Sequence, residues 1–327
     1  MNTMISGADV LGKIDWGLPP PLNQHCASVR RHSMQWLAKV GLARGTSRMR
    51  SHAAIDIPLF AAMTVPWATR TDLMLMQDWL AWVFELDDLF DHSASGFRLD
   101  AVNRLKVAFS LILSGGHRVP GPDSEESICT GLRDLWRRIR LRSSPAWRSR
   151  FVQHVMEYVE SFEWEEVNRR NHRCPDVEEY LRRRQQTGAA HPSLDLLIPT
   201  LGIPFDDLDW EDPLILRLEY IVSETITLSN DLISYRKEDE CGDLHNLVLI
   251  LIHGNGVDEQ DAVMRIGETV AQHLKEFDIG ASHLLERQGV HREHLARYLY
   301  GLRTVMSGHY LWSQRSARYA NASQARM

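Results

Sequence analysis

No stretch of this chain is apolar for long enough to cross a bilayer. The longest strongly apolar run, Leu247 to Ile252, falls far short of the roughly 20 residues a membrane helix needs. The N-terminus, MNTMISGADVLGKID, has neither the basic start nor the apolar stretch of a secretory signal. Cysteine is scarce: Cys26, Cys129, Cys174 and Cys241 are scattered without CxxC spacing. That excludes a disulfide-stapled scaffold, and free thiols in a reducing cytoplasm are expected. Neither sign of charge dominates. The 37 Lys plus Arg against 43 Asp plus Glu leave a net charge of -6, which offers no basic field to nucleic acid. A GxxxxGK(S/T) phosphate loop and a GxGxxG fingerprint are both missing, so nucleotide folds of those kinds are excluded. No strand–helix alternation, fixed-period repeat or Ser/Gly linker divides the chain.

What is present is helical patterning. Apolar residues make up 44% and charged residues 24%, enough for a large core. Trp (10) outnumbers Phe (9) and Tyr (8), so bulky aromatic surface is unusually available. Residues 1–22, with Gly17 and Pro19-Pro20-Pro21, read as an irregular arm. From residue 23 to 327 the pattern predicts one all-α domain. Helices are expected over 25–42, 71–91, 101–115, 126–142, 145–171, 176–199, 212–238, 243–253, 257–289 and 291–318, with Gly and Pro clustered between them.

The second of these helices is apolar almost all round and ends in Asp87-Asp88-Leu89-Phe90-Asp91. Residues four apart share a helix face, so Asp87 and Asp91 lie together and repel. A hard divalent cation such as Mg²⁺ relieves that repulsion; a solvated helix end would tolerate it instead. A second cluster, NDLISYRKE (230–238), places Asn230, Ser234 and Glu238 on one helical stripe. Amide, hydroxyl and carboxylate oxygens all suit Mg²⁺, although an amphipathic helix entering solvent would look similar. Two such clusters about 140 residues apart suit a substrate carrying a diphosphate between them. Phe205-Asp206-Asp207-Leu208-Asp209 is also acidic, but it follows Gly202 and Pro204 and precedes Pro213. It is read as a loop and helix N-cap rather than a metal site.

With these motifs in place the sequence resembles the class I terpene synthases in their single-domain microbial form, over residues 16 to 320. The Asp-rich motif is Asp87 to Asp91, and the NDxxSxxKE motif is Asn230, Asp231, Ser234, Lys237 and Glu238. Arg184 stands 46 residues before Asn230, where the family has a diphosphate-sensing Arg. It sits in YLRRRQQTG, with Thr187 and Gly188 in the family's linker and effector positions. Arg318-Tyr319, preceded by Trp312, resembles the family's last-helix Arg-Tyr pair.

The resemblance implies a helical bundle around a central cavity. It also implies three Mg²⁺ ions and a prenyl diphosphate substrate, farnesyl diphosphate above others. Asp87, Asp88, Asp91, Asn230, Ser234 and Glu238 become candidate metal ligands, with Asp88 also expected to pair with Arg184. Arg184, Lys237, Arg318 and Tyr319 become diphosphate donors. Phe84 and Trp312 are expected to face a carbocation, Gly188 to break its helix toward it, and Trp79, Leu80 and Val83 to line the same wall. No membrane span or nucleic-acid partner is implied, and a homodimer is allowed. Two other readings remain open: a chain-elongating prenyl diphosphate synthase using Asp206 to Asp209 as a second Asp-rich motif, and a non-enzymatic helical scaffold. C10 and C20 substrates would use the same motifs.

Overall fold

Side-chain caps and left-handed residues set most helix ends. The computed structural model describes residues 5–17, 19–43, 45–91, 97–116, 123–287 and 291–319. Helix α1 (Gly7–Leu11) starts from a capping box in which Ser6 accepts from the Asp9 amide and Asp9 answers to the Ser6 amide. Helix α2 (Cys26–Val40) stops at Gly41, whose φ of 82° closes the last turn. Helices α3 (Thr46–Ile55) and α4 (Ile57–Thr64) meet at Asp56, which holds φ 53° and caps α4 through the Leu59 amide. Helix α5 (Arg70–Asp91) is followed by α6 (Phe97–Leu113) and α7 (Asp123–Ile139). Helix α8 (Pro145–Arg170) is capped by Ser144, and α9 (Val177–Thr187) by Asp176. Helix α10 (Ala190–Thr200) leads through a 3₁₀ turn, Phe205–Asp207, to α11 (Pro213–Glu240), which Asp212 caps. The turn α12 (Leu247–Leu249) runs on as a π-helical segment, Ile250–Gly254. Helices α13 (Glu259–Glu286) and α14 (Arg292–Ser313) complete the order.

The all-α expectation holds: no strand occurs among the described residues. Helix α11 packs along α13, α14 against α4, α6 against α8 and α2 against α5, and α10 touches both α5 and α11, the helices that carry the two polar motifs. Three details differ from the sequence reading. Helices α3 and α4 went unforeseen, because α3 buries only His52 and α4 (IPLFAAMT) is apolar on every side, so neither shows a period. The predicted helix 176–199 is broken between Thr187 and Ala190. The arm is also not irregular throughout.

In that arm α1 lies against α11 and α13. A Cβ on Gly7 would stand 1.8 Å from the Leu232 carbonyl oxygen, and one on Gly267 would stand 2.1 Å from Val10. Trp16 follows, buried and stacked flat on Tyr310 at 4.5 Å. The arm therefore covers the back of the helix that carries the second polar motif.

Gly7→Ala is expected to lift α1 off α11, because a backbone carbonyl cannot rotate away from the added methyl. Overpacking of this kind costs about 1–3 kcal/mol, a drop of several degrees in Tm by calorimetry. An unchanged Tm would show that α1 does not dock there.

Candidate active site

A cavity of about 340 Å³ opens between α5 and α11. Helix α5 lines it with Met76, Leu80, Val83, Phe84 and Asp87, a single stripe at helical spacing. Helix α11 lines it with Ile226, Thr227, Asn230, Ser234, Lys237 and Glu238. Each stripe is apolar toward its N-terminal part and polar toward its C-terminal end. At a rise of about 1.5 Å per residue, Met76 to Asp87 spans roughly 16 Å from apolar to acidic wall. Helix α9 and its cap add Arg184, Thr187 and Gly188, and the segment after α14 adds Arg318 and Tyr319. Most of the predicted site residues therefore meet around one space.

The mouth is a hydrogen-bonded network. Asp87 accepts from the Tyr158 hydroxyl at 2.6 Å. Arg184 donates to Asn230 Oδ1 at 3.1 Å, to Asp231 Oδ1 at 2.8 Å and to Thr187 Oγ1 at 3.0 Å. Asn230 in turn donates from Nδ2 to the Tyr319 hydroxyl at 2.8 Å. Asp231 is wholly buried and also accepts from the Tyr180 hydroxyl at 2.7 Å and the Leu247 amide at 3.0 Å. Asn246 donates to the Asp231 carbonyl at 3.0 Å and to Glu238 Oε2 at 2.8 Å.

Three expectations need correction. Asp88 does not pair with Arg184; it pairs with Arg318 at 3.1 Å, while Arg184 turns to Asp231. Trp312 does not line the cavity. It is fully buried, donates to the Ile55 carbonyl at 3.0 Å and stacks at 4.5 Å on Phe60, which is the ring that faces the space. Trp79 does not line it either, because it stacks on Trp82 at 5.2 Å and donates to Ser193 at 2.9 Å, so neither indole narrows the cavity. Gly188 does end its helix, standing as the C-cap of α9, and the left-handed residue at the break is Ala189, φ 48°. Gly188 is needed for closeness, since a Cβ there would stand 2.7 Å from Thr227 Cγ2. Leu80, Val83 and Phe84 do line the wall, and the guanidinium of Arg318 sits 4.6 Å above the Phe84 ring. The side chain of Asp91 lies outside the described residues.

Several groups in or behind the cavity wall escaped the sequence reading. Phe60 belongs to the unforeseen α4, and Tyr158, Tyr180 and Asn246 act across elements, which spacing along the chain cannot reveal. His309 lines the cavity beside Phe60, with ring centroids 5.7 Å apart. Burial lowers its imidazole to about 4, so it is neutral at pH 7 and does not repel a cation.

The donors that the two motifs bring to the mouth are hard oxygens: Asp87, Asn230, Ser234 and Glu238 all line one cavity. Burial first, and the Asp231 carboxylate second, push the Glu238 carboxyl up to about 7. Crowded acids of this kind are what a bound divalent cation would neutralise, so the residues fit such an ion. A folded pKa raised above the ordinary 4.5 favours folding below pH 4.5, and that contribution is lost as pH rises through about 7. In metal-free protein Glu238→Gln is therefore expected to raise Tm at pH 8 by about 2 °C or more and to change it little at pH 4.5. An equal effect at both pH values would mean that Glu238 is not strained by its surroundings.

Comparison with known proteins agrees with this geometry. The family described as "Terpene synthase family 2, C-terminal metal binding" matches residues 78–276. Isoafricanol synthase of Streptomyces violaceusniger is 30% identical over 93% of this chain and 83% of its own. A (+)-T-muurolol synthase of Roseiflexus castenholzii, described as cyclising (2E,6E)-farnesyl diphosphate, is 30% identical over 91% of this chain and 90% of its own. Among solved structures, a single-substitution variant of cucumene synthase superposes with a TM-score of 0.78 at 29% identity, over 92% of this chain and 98% of that one. On the motifs, the cavity between them and these likenesses, the chain belongs to terpene synthase family 2 and is a terpene synthase.

Proposed function

We propose that this enzyme ionises and cyclises farnesyl diphosphate, with Mg²⁺, to a sesquiterpene hydrocarbon or alcohol. The observation that carries the reading is the opposition of Asp87 on α5 to Asn230, Ser234 and Glu238 on α11 across a cavity with an apolar, aromatic wall. The cavity volume of about 340 Å³ lies near the lower end of small-ligand sites, roughly 300–1,000 Å³, which suits a folded C15 chain better than a C20 chain. The relative described as cyclising (2E,6E)-farnesyl diphosphate supports the same choice.

Asp87, Asn230, Ser234 and Glu238 would hold the Mg²⁺, with Asp88 and Asp91 nearby on the same helix end. Bound there, Mg²⁺ supplies positive charge that stabilises the departing diphosphate. Arg184, Lys237, Arg318 and Tyr319 would donate hydrogen bonds to its oxygens. The two arginines are suited by their planar forks. Arg318 begins on Asp88 and over Phe84; a diphosphate would draw it toward the mouth and leave the Phe84 face for a cation. Phe84 and Phe60 then offer ring faces to the allyl cation, each worth about 2 kcal/mol when desolvated. Met76, Leu80, Val83 and Ile226 exclude the water that would quench it. A reducing cytoplasm suits an enzyme with four free cysteines, two of them buried.

Asp87→Ala and Asn230→Ala are expected to lower turnover by at least 10²–10³-fold with the fold intact, since the lost oxygens matter most when charge builds on the leaving group. C10, C15 and C20 prenyl diphosphates should be supplied singly, without isopentenyl diphosphate, and the products analysed by gas chromatography. A cyclic C15 product is expected from the C15 substrate. Turnover of the C10 or C20 substrate alone overturns the chain length. Reaction only with added isopentenyl diphosphate makes the protein an elongating synthase.

Phe60→Leu and Phe84→Leu are expected to raise acyclic or hydroxylated by-products, because a cation-facing ring is lost and water enters. Trp312→Leu is expected instead to lower Tm with a smaller change of product. If Trp312→Leu alters the product spectrum more than Phe60→Leu does, Phe60 is not the ring that guides the cation.

A further inference from the structure

The acidic loop left unused by the catalytic site acquires partners that no spacing along the chain could show. Among the described residues, Asp207, His291 and His294 bring three potential ligand atoms within 4.8 Å of one another. Asp207 ends the 3₁₀ turn between α10 and α11, and the two histidines open α14 one helical turn apart. Their Nδ1 atoms lie 3.3 Å (His291) and 2.6 Å (His294) from the same Asp207 Oδ2. The His294 contact is short enough for a hydrogen bond but lacks the angles of one, and its Nδ1 is buried without any hydrogen-bond partner. The imidazole rings lie nearly parallel, 8° apart with centroids at 5.9 Å.

The loop is firmly placed. Phe205 stacks on Trp210 at 5.1 Å, Trp210 donates back to the Phe205 carbonyl, and Trp210 meets Tyr298 of α14 edge-on at 5.0 Å. Asp207 is thus presented to α14 by an aromatic stack rather than by a loose tail. Two imidazole nitrogens converge on one carboxylate oxygen, which can accept from both as hydrogen-bond donors. As ligands, each instead offers a lone pair to a shared cation. With ligand bonds near 2.0–2.1 Å, neighbouring donors of a tetrahedral ion lie about 3.4 Å apart. The His291–Asp207 separation of 3.3 Å matches that edge, while the His294–Asp207 separation of 2.6 Å would have to open to admit an ion. Two nitrogens and one oxygen select a borderline ion such as Zn²⁺, Co²⁺ or Ni²⁺ and not Mg²⁺.

We propose that Asp207, His291 and His294 form a transition-metal site that clamps the α10–α11 loop to the start of α14. It is separate from the catalytic mouth: Pro213 and Asn230, 17 residues apart on α11, are about 26 Å apart along the axis. The metal ties two elements that the aromatic stack already brings together, so its binding stabilises the folded chain without entering the reaction.

The test uses the full chain, stripped with chelator and held in saturating Mg²⁺. Titration with Zn²⁺ by calorimetry is expected to give one site per chain, a Tm raised by about 4 °C or more at saturation, and, with Co²⁺, the visible absorption of a tetrahedral centre. Asp207→Asn and His294→Ala should each weaken Zn²⁺ binding at least tenfold, remove the Tm rise and leave terpene formation in Mg²⁺ unchanged. Asp87→Asn should bind Zn²⁺ normally. Three results overturn the proposal: no Zn²⁺ binding at one equivalent, full affinity in Asp207→Asn, or loss of Zn²⁺ binding in Asp87→Asn. The first would leave the cluster a histidine–aspartate contact alone.

Discussion

The mouth of this enzyme depends on one buried ion pair, Arg184 with Asp231. Asp231 has no exposure, and such a charge survives only where it is paired and hydrogen-bonded. Here Arg184, the Tyr180 hydroxyl and the Leu247 amide all donate to it. Three consequences follow from that requirement. It fixes α9 and α12 against α11, it holds Arg184 at the cavity instead of in solvent, and it brings the same guanidinium to Asn230 Oδ1, which orients that amide. Replacing the pair with apolar groups could fold as well, but would leave nothing to aim Asn230. The short run of arginines in YLRRRQQTG is therefore sorted by burial: Arg184 turns inward, while Arg182 and Arg183 face solvent.

The chemistry was more legible in the sequence than the packing. Asp87, Asn230, Ser234 and Glu238 could be placed on helical faces by counting, and counting survives folding because a helix is a rigid ruler. Arg184 was found by its distance from Asn230 along the chain. What could not be counted was which partner each charge would choose. Asp88 and Arg184 both lie near the mouth, yet Asp88 takes Arg318, and Arg184 takes an acid that the motif carries one residue after Asn230. Trp312 shows the same limit. Its spacing places it near the Arg-Tyr pair, but a large indole one layer deeper is displaced from the cavity by Phe60, on a helix with no periodic signature. The arm was misread for a related reason. A five-residue helix has little intrinsic stability, and α1 forms through its capping box and its contact with α11 and α13.

The two polar stripes also explain how an acidic mouth and a dry cavity coexist on the same helices. On α11, Ile226 and Thr227 precede Asn230, and Glu238 follows three turns beyond Ile226. The aromatic layer below Asp87 is continuous, since Phe84 meets Phe60 edge-on at 6.5 Å and Phe60 rests on Trp312. Charge is thereby confined to one end by geometry rather than by a lid. The substrate class follows: a molecule with an anionic head and a hydrocarbon tail matches both ends at once, and a wholly polar or wholly apolar one matches neither.

The same reasoning orders the ions. At the mouth the donors of the two motifs are oxygens, and burial first, with Asp231 second, strains Glu238, so a small hard cation gains most there. At the far end of α11 the donors are two imidazole nitrogens and one carboxylate, an arrangement that a strongly hydrated Mg²⁺ has little reason to enter. Affinity alone would let a transition metal compete at both ends. Donor type works against that, because the nitrogen-bearing site takes up such an ion before the oxygen-lined mouth does. A site outside the cavity then steadies the start of α14 and the loop before α11 while the reaction at the mouth proceeds without it.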